Sequence, residues 1–287
     1  MNRNCSDITV IVLTKNEQQN IKQCLESIGS FAKNILIVDS GSTDKTLEIA
    51  AKYNTEIVIH DFVSYAHQYN WVLDNCKITT TWILRLDADE ILTDALKNEI
   101  LSECDKHAND SVNGFLVEFK IFFMNKLLKY AGNYPFLNMI VWKNGFGRYT
   151  ERYMGEHSIL TSGQTIKLKN PCLHNDTKSI DFLISKHNWY ATREVIDYFE
   201  RKRSKIEDGN LYNKAKKTQG LRDSFYYKMP MFFRAKLYYW YRFYFKLGFL
   251  DGKPGKIYCL IQAYIYRVIV DAKIFEAKTI KSIDKEQ

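Results

Sequence analysis

The sequence predicts an α/β fold: a Rossmann-like, mostly parallel sheet flanked by helices, continued by a helical C-terminal extension. Four short apolar runs alternate with helical stripes through the opening stretch of the chain, the pattern of consecutive βαβ units. Two further strand-like segments, residues 114–123 and 138–143, follow without a helix between them, so a mixed β region should complete the sheet. From Ser179 the periodicity is helical to the end.

The first run, Ile8-Thr9-Val10-Ile11-Val12-Leu13, is nearly all β-branched, as suits a parallel strand covered on both faces. Thr14-Lys15-Asn16-Glu17 closes it. Asn16 is placed to cap the helix whose apolar stripe is Ile21, Leu25 and Ile28 and whose end is Gly29. The second run, Ile35-Leu36-Ile37-Val38-Asp39, leads into Ser40-Gly41-Ser42-Thr43-Asp44. There Gly41 permits a tight turn, and Ser42, Thr43 or Asp44 can cap a helix from about residue 45 to 53. A third strand over residues 56–60 precedes a helix over residues 65–73. The fourth run, Thr79-Thr80-Thr81-Trp82-Ile83-Leu84-Arg85-Leu86-Asp87-Ala88-Asp89-Glu90, ends in three acids among four residues.

The two later strands are separated by Tyr130-Ala131-Gly132-Asn133-Tyr134-Pro135, rich in turn formers. Residues 148–157 are dense in ionisable groups, and a strand-like run over residues 167–173 stops before His174. Residues 247–255 read as a turn and residues 256–275 as an apolar helix. The expected division is an α/β domain over residues 1–177, with halves of 1–110 and 111–177, and a helical, basic-aromatic extension over 178–287.

A chain of 287 residues can bury a substantial core. Its formal charge of +8 is unevenly spread: residues 1–200 hold 21 Lys+Arg against 25 Asp+Glu, net −4, and residues 201–287 hold 20 against 8, net +12. The basicity belongs to the C-terminal region. Cys5, Cys24, Cys76, Cys104, Cys172 and Cys259 show no C-x-x-C spacing, so reduced core thiols are expected, not a disulfide or zinc framework. The N-terminus enters an apolar strand without a signal-peptide pattern, and no charge-free stretch of 18 residues occurs. A cytoplasmic protein without a membrane span is the expectation.

Carboxylates at the C-terminal end of a parallel strand sit where open α/β sheets bind ligands. Asp87 and Asp89 lie two apart, so in extended backbone both leave the same face and can converge on one hard cation; alternatively Asp89 and Glu90 simply begin the next helix. Asp39 is placed to accept from a base N–H or ribose hydroxyl, or else starts a turn with Ser40 and Gly41. His174 is either a further cation ligand, of a kind that suits Mn²⁺ better than Mg²⁺, or a buried histidine. Gln68 and Asn70 either line the same pocket or form a polar helix face. Arg148 either meets a diphosphate or acceptor group or faces solvent.

Three segments together, Val10-Ile11-Val12-Leu13-Thr14-Lys15-Asn16-Glu17, Ile37-Val38-Asp39-Ser40-Gly41-Ser42-Thr43-Asp44 and Leu86-Asp87-Ala88-Asp89-Glu90, resemble the ordered signatures of family 2 glycosyltransferases with the GT-A fold. Residues 130–175 and the turn Leu247-Gly248-Phe249-Leu250-Asp251-Gly252 further resemble the bacterial subgroup that builds lipopolysaccharide core and related surface glycans. The resemblance implies an inverting displacement at the anomeric carbon of a nucleotide-activated sugar, usually a UDP-hexose such as UDP-glucose. It also implies Mg²⁺ or Mn²⁺ and a lipid-linked glycan acceptor. By position, Thr14, Asn16, Glu17 and Asp39 resemble donor-side residues, Asp39 being the nucleotide-binding aspartate. Asp87 and Asp89 resemble the metal and ribose motif, and Glu156 the acid commonly assigned as catalytic base. Glu151 is the rival base, or else an ion-pair partner of Arg148 or Arg152. The subgroup usually has His before that glutamate and a basic residue before the Asn of the third helix, where this chain has Gly155 and Tyr69. Glu90 is assigned to the start of the following helix.

Residues 225–249 carry thirteen aromatics in twenty-five positions, interleaved with Lys228, Arg234, Lys236, Arg242 and Lys246. No nucleic-acid motif accompanies them, so nucleic acid is not an expected partner. Some aromatics should pack as core. An interfacial helix pair would lay Tyr, Trp and Phe at headgroup level and turn Lys and Arg to anionic lipid. The net +12 favours that anionic membrane surface, at the inner face of the cytoplasmic membrane where a lipid-linked acceptor is met. Two rival readings exist. A sugar-nucleotide nucleotidylyltransferase should carry a Gly- and basic-rich loop after its first strand, where this chain has Thr14-Lys15-Asn16-Glu17. A non-catalytic, membrane-peripheral nucleotide-sugar-binding protein would not need Asp39, Asp87, Asp89 and Glu156 together.

Overall fold

Residues 8–14 of β1 (Ser6–Thr14) are all buried, with Ile8, Val10 and Val12 in one cluster and Ile11 and Leu13 in another. The strand is therefore covered on both faces, as its β-branched run predicts. The structure, a computed structural model, describes residues 6–132, 134–150, 157–201 and 226–286. These form two compact units.

The first unit is built on β1, α1 (Ile21–Ile28), β2 (Ala32–Asp39), α2 (Thr46–Ala50), β3 (Glu56–Ile59), α3 (Tyr65–Asn75), β4 (Trp82–Asp87), β5 (Glu90–Ile91) and α4 (Asp94–Lys106). It continues with β6 (Val112–Phe123), β7 (Lys126–Leu127), β8 (Leu137–Lys143), β9 (Gly147–Tyr149), β10 (Ser158–Leu160), β11 (Gln164–Lys167) and β12 (Cys172–His174). The main sheet runs β3-β2-β1-β4-β8-β6-β12-β5, with β7 and β11 also against β6, and β9 pairs with β10 in a separate ribbon. β3, β2, β1 and β4 are mutually parallel. β8 enters antiparallel between β4 and β6, which makes the sheet mixed but mostly parallel, flanked by helices as expected.

The helices follow their local chemistry. α1 buries Ile21, Cys24, Leu25 and Ile28 and ends at Gly29, whose φ of 51° suits glycine. α3 is capped by Ser64, which accepts from the His67 N–H at 3.0 Å, and α4 by Thr93, which accepts from the Leu96 N–H at 3.2 Å. At α2 the capping acceptor is Asp44, which takes the Thr46 N–H at 2.9 Å.

The strand expected over residues 167–173 is two strands. β11 lies parallel to the first part of β6 and β12 parallel to its later part. Pro171 between them lacks a ladder donor, and the intervening turn is held from α4: the Glu99 carboxylate accepts the N–H groups of Lys169 and Asn170, each at 2.8 Å.

The second unit contains the loop over residues 128–134 and the chain from Lys178. Its helices are α5 (Ile180–Arg201), α6 (Phe233–Trp240), α7 (Gly252–Cys259) and α8 (Tyr266–Glu286). Tyr241–Phe245 and Leu260–Ile265 continue α6 and α7 with π-helical geometry. Ala191, Tyr198, Tyr266, Val270 and Ile274 form the core between α5 and α8. A polar seam runs through it. Glu194 accepts from the Tyr227 and Tyr266 hydroxyls and from Arg267 Nη1, and Arg234 pairs with Asp271 with both side chains buried. Among the described residues, no helix is long and apolar enough to cross a membrane.

Candidate functional site

Because β1 lies between β2 and β4, its register decides what meets at the sheet's C-terminal edge. Thr14 stands opposite Asp39, and Leu13 opposite Asp87. Two acids thus finish the strands on either side of β1, about 10 Å apart by the ordinary strand spacing.

Asp39 is fully buried. Its Oδ1 accepts the Thr14 hydroxyl at 2.9 Å and the Ser42 hydroxyl at 2.5 Å; its Oδ2 accepts the Gly41 and Ser42 N–H groups at 2.9 and 2.7 Å. Gly41, at φ 80°, lets the backbone curl so that consecutive amides reach one carboxylate. All four acceptor positions of Asp39 are filled, so here it organises the turn.

The turn is knitted to the loop after β1. Asn16, Glu17 and Gln18 donate their N–H groups to the side chains of Ser42, Thr46 and Asp44 at 2.8, 2.7 and 3.2 Å. Asn16 returns the contact by accepting the Thr43 N–H at 2.8 Å. It does not cap α1, contrary to expectation. Its left-handed φ of 54° and its bonds to Ser42 and Thr43 commit it to the neighbouring turn, and α1 begins after Asn20. Glu17 accepts from Asn20 Nδ2 at 2.9 Å.

Gln68 and Asn70 are buried, so a solvent-facing polar helix face is not their setting. Gln68 Nε2 donates to Ser40 Oγ at 2.8 Å and to the His60 carbonyl at 3.0 Å, and its Oε1 meets His60 Nδ1. Asn70 exchanges both amide bonds with the Tyr149 backbone at 3.0 and 2.9 Å, holding β9 to α3. Between them Tyr69 stacks on Tyr149 with ring centroids 4.8 Å apart and donates its hydroxyl to Asp87 Oδ1 at 3.4 Å. Burial raises the Tyr69 phenol well above its usual range, so it stays a donor.

Arg85 is the charged residue at this strand end that pattern reading missed. It lies in the middle of the buried β4, with Nη1 2.9 Å from Asp87 Oδ2 and 3.3 Å from Glu90 Oε2. Its signal was visible: a cation inside an otherwise apolar buried strand has to be paired. Glu90 supplies part of that pairing and also accepts the Asp87 N–H at 2.9 Å. The assignment of Glu90 to a helix start is therefore wrong. It forms β5, opposite His174 of β12, and the helix begins four residues later because Thr93 offers the cap. Burial pushes the Glu90 carboxyl up to about 8, with the Asp87 and Asp89 charges adding to that and Arg85 opposing it.

Extended backbone stops at Asp87, so the expectation that Asp87 and Asp89 share a strand face does not hold. Asp87 leans on Arg85. Asp89 sits in the turn to β5, where its carbonyl accepts the Asn175 N–H at 2.9 Å and its Oδ2 lies 3.4 Å from His174 Nε2. Arg148 forms a two-pronged pair with Asp74 of α3, at 2.7 and 2.8 Å, with both side chains substantially exposed. Glu156 and Glu151 lie outside the described residues.

A carboxylate and an imidazole in contact, Asp89 and His174, are donors of the type that Mn²⁺ accepts, with Mg²⁺ favouring the oxygen. Among the described residues no three ligating side chains converge.

The sequence profile of Glycosyl transferase family 2 matches residues 9–162. An uncharacterized glycosyltransferase of Rickettsia conorii is 25% identical over 209 residues, 69% of this chain and 72% of its own length. The lipopolysaccharide core biosynthesis glycosyltransferase LpsC of Rhizobium meliloti is 25% identical over 289 residues, 96% of this chain and 94% of that protein. Among solved structures, S. aureus TarS 1–349 superposes with a TM-score of 0.45 at 14% identity, covering 94% of this chain and 91% of that one. Glucosyl-3-phosphoglycerate synthase from Mycobacterium tuberculosis, in complex with Mn²⁺, UDP and glucosyl-3-phosphoglycerate, gives 0.33 at 17% identity over 42% of this chain and 45% of that one. Superpositions at these scores say nothing about substrate.

Proposed function

The chain belongs to glycosyl transferase family 2, and from that premise we propose that it moves a hexose, with inversion, from a nucleotide sugar to a lipid-linked bacterial surface glycan. The donor is a UDP-hexose such as UDP-glucose, and the acceptor a lipopolysaccharide or lipooligosaccharide core. The observation that carries this reading is the register that ends β2 and β4 in acids on either side of β1, the edge at which α/β sheets bind nucleotides. The acceptor class draws support from the near full-length match to a lipopolysaccharide core glycosyltransferase.

In this proposal the knitted loops of Thr14, Asn16, Glu17 and Asp39 form the nucleoside wall, with Asp39 exchanging one hydroxyl partner for a base N–H. Gln68 and Asn70 act from behind by holding that wall to α3 and β9. Asp87 faces the ribose, and Asp89 with His174 would hold the cation, Asp87 lying close enough in the chain to join them. Arg148 joins the donor side only by exchanging Asp74 for a phosphate oxygen. A bound Mg²⁺ or Mn²⁺ supplies neutralisation of charge on the diphosphate leaving group. The acceptor hydroxyl oxygen bonds to the anomeric carbon as that carbon's bond to the diphosphate oxygen breaks. The electron pair leaves with the nucleoside diphosphate, and the hydroxyl proton passes to Glu156. The basic second unit holds the enzyme peripherally at the inner face of the cytoplasmic membrane, where such acceptors are presented.

UDP release from candidate UDP-hexoses in the presence of a core-glycan acceptor is the direct test. Release is expected with Mg²⁺ or Mn²⁺, and Glu156→Gln should lower turnover by about 10²–10⁴-fold while sparing donor binding. A comparable loss at Glu151→Gln instead would transfer the role of base. No release with any nucleotide sugar would overturn the reading.

A further inference from the structure

Helix α6 and its π-helical continuation are amphipathic the wrong way round for water. Arg234, Ala235 and Arg242 face inward, while Trp240 is 53% and Phe245 80% exposed. The inward arginines are consumed within the second unit. Arg234 Nε donates to Asp271 Oδ1 at 2.8 Å, and Arg242 donates to the Ala131 carbonyl and to the Tyr238 hydroxyl. The expectation that arginine and lysine alike point outward is corrected here, since a guanidinium can satisfy several buried acceptors at once. The outward face is left to aromatics and lysines.

Rings on that face pack on one another. Trp240 and Tyr244 have ring centroids 5.6 Å apart, and Tyr244 and Phe249 6.5 Å. Beyond α6 the chain turns through Leu247, at φ 58°, and Gly248, where a Cβ would lie 2.6 Å from Cys259 Sγ. Asp251 anchors the turn. Its carboxylate accepts the N–H groups of Lys129, Tyr130 and Ala131 at 3.0, 2.8 and 2.7 Å. The result is a ledge displaying Leu247, Phe249 and Leu250 beside the aromatics, each at least a third exposed. An apolar surface of this kind marks an interaction site.

Charge selects the occupant. Between residues 226 and 270 the sole carboxylate is Asp251, and it is buried. Lys228, Lys236, Lys246, Lys253 and Lys256 are all exposed. The segment therefore shows its surroundings large apolar side chains and ammonium groups and no exposed acid. Apolar rings with interleaved lysines match an anionic bilayer interface, where rings enter the acyl boundary and ammonium groups meet lipid phosphates.

We propose that the ledge formed by Trp240, Tyr244, Phe245, Leu247, Phe249 and Leu250 inserts into the interface of an anionic lipid bilayer, with Lys236, Lys246, Lys253 and Lys256 on the headgroups. This deepens the peripheral placement proposed above by naming the inserting surface, and it does not depend on the identity of the sugar donor.

Cosedimentation of the full chain with phosphatidylcholine vesicles, with and without phosphatidylglycerol, tests it. The chain should bind the anionic vesicles. Phe245→Ser combined with Leu250→Ser should weaken partition at least about tenfold, as the loss of two inserted side chains requires, with the unfolding midpoint unchanged. Vesicles carrying brominated acyl chains should quench tryptophan fluorescence, and Trp240→Phe should remove most of that quenching. Absence of binding to anionic vesicles would overturn the proposal, as would binding undiminished by the double substitution. A dimer in solution that the same substitutions dissociate would also overturn it, by showing that a second copy covers the ledge. Donor-induced thermal stabilisation, measured without vesicles on the same variants, keeps the two readings apart: its survival alongside lost partition leaves the transferase reading intact.

Discussion

Arg85 is the cation that the carboxylates at the end of β4 share. It is buried among Asp87, Glu90 and the Phe119 ring, 5.7 Å from its guanidinium carbon. Removing one partner of a buried pair leaves an uncompensated charge, which costs about 3–5 kcal/mol. Arg85→Ala should therefore lower unfolding free energy by that order in urea titration, whereas Glu90→Gln, which removes an acid that burial already favours as neutral, should cost much less. Equal losses would show that Glu90 is ionised in the fold. The apolar run around Arg85 and the acids after it were legible in the sequence. The partnership of Arg85 with Glu90 was not, because it depends on β5 folding back beside β12. Asp39 was legible as a strand-end acid, but its four-fold engagement was not, since two of those four bonds come from the hydroxyls of Thr14 and Ser42, side chains whose directions no pattern specifies.

At the scale of elements, strands were easier to read than the turns that end them. β1, β2, β4, β6 and β8 follow their apolar runs, whereas the segment over residues 167–173 breaks in two before Cys172, where Pro171 offers no ladder donor. Glu99 of α4 holds that break. Burial opposes its charge, but the N–H groups of Lys169 and Asn170 and the Asn170 side-chain amide hold its carboxyl below the usual glutamate range. A lowered pKa gives stability that is present above the ordinary value, about 4.3, and disappears as pH falls through the lowered one. The wild type should accordingly be more stable than Glu99→Gln near neutrality, with the gap closing as pH falls below about 4.3; urea midpoints across that range would show it, and a gap independent of pH would refute it. In the second unit, Asp251 serves a similar purpose for the loop over residues 128–134. Asp251→Ala strands three amides at once and should cost about 3 kcal/mol or more, at roughly 1–3 kcal/mol per unsatisfied group. Amide hydrogen exchange should then rise at residues 129–131 before the helices are affected.

On the scale of the molecule, charge and chemistry are segregated along the chain. The acids that end β2 and β4 lie in the first unit, and the net +12 lies in residues 201–287. A donor that binds only the folded state should stabilise it by about 2.7 kcal/mol at one hundred times its dissociation constant. Thermal unfolding with UDP-hexose and Mn²⁺ should show this shift, and Asp89→Asn should abolish its cation-dependent part while the unliganded midpoint stays close to the wild type. A cation-dependent shift that survives in Asp89→Asn would remove Asp89 from the metal site. By itself the sequence determined the parallel opening of the sheet, the three motifs at its strand ends, the family and the basic aromatic character of the C-terminal region. These follow from local periodicity and composition, which adjacent residues encode. Only the tertiary structure decided which partners those residues take: Glu90 for Arg85, His174 for Asp89, Asp74 for Arg148, and Asp251 for the backbone of residues 129–131. It also decided that arginines turn inward and aromatics outward on α6. Such choices depend on groups brought together from distant positions, where burial and hydrogen-bond satisfaction, not sequence spacing, select the partner.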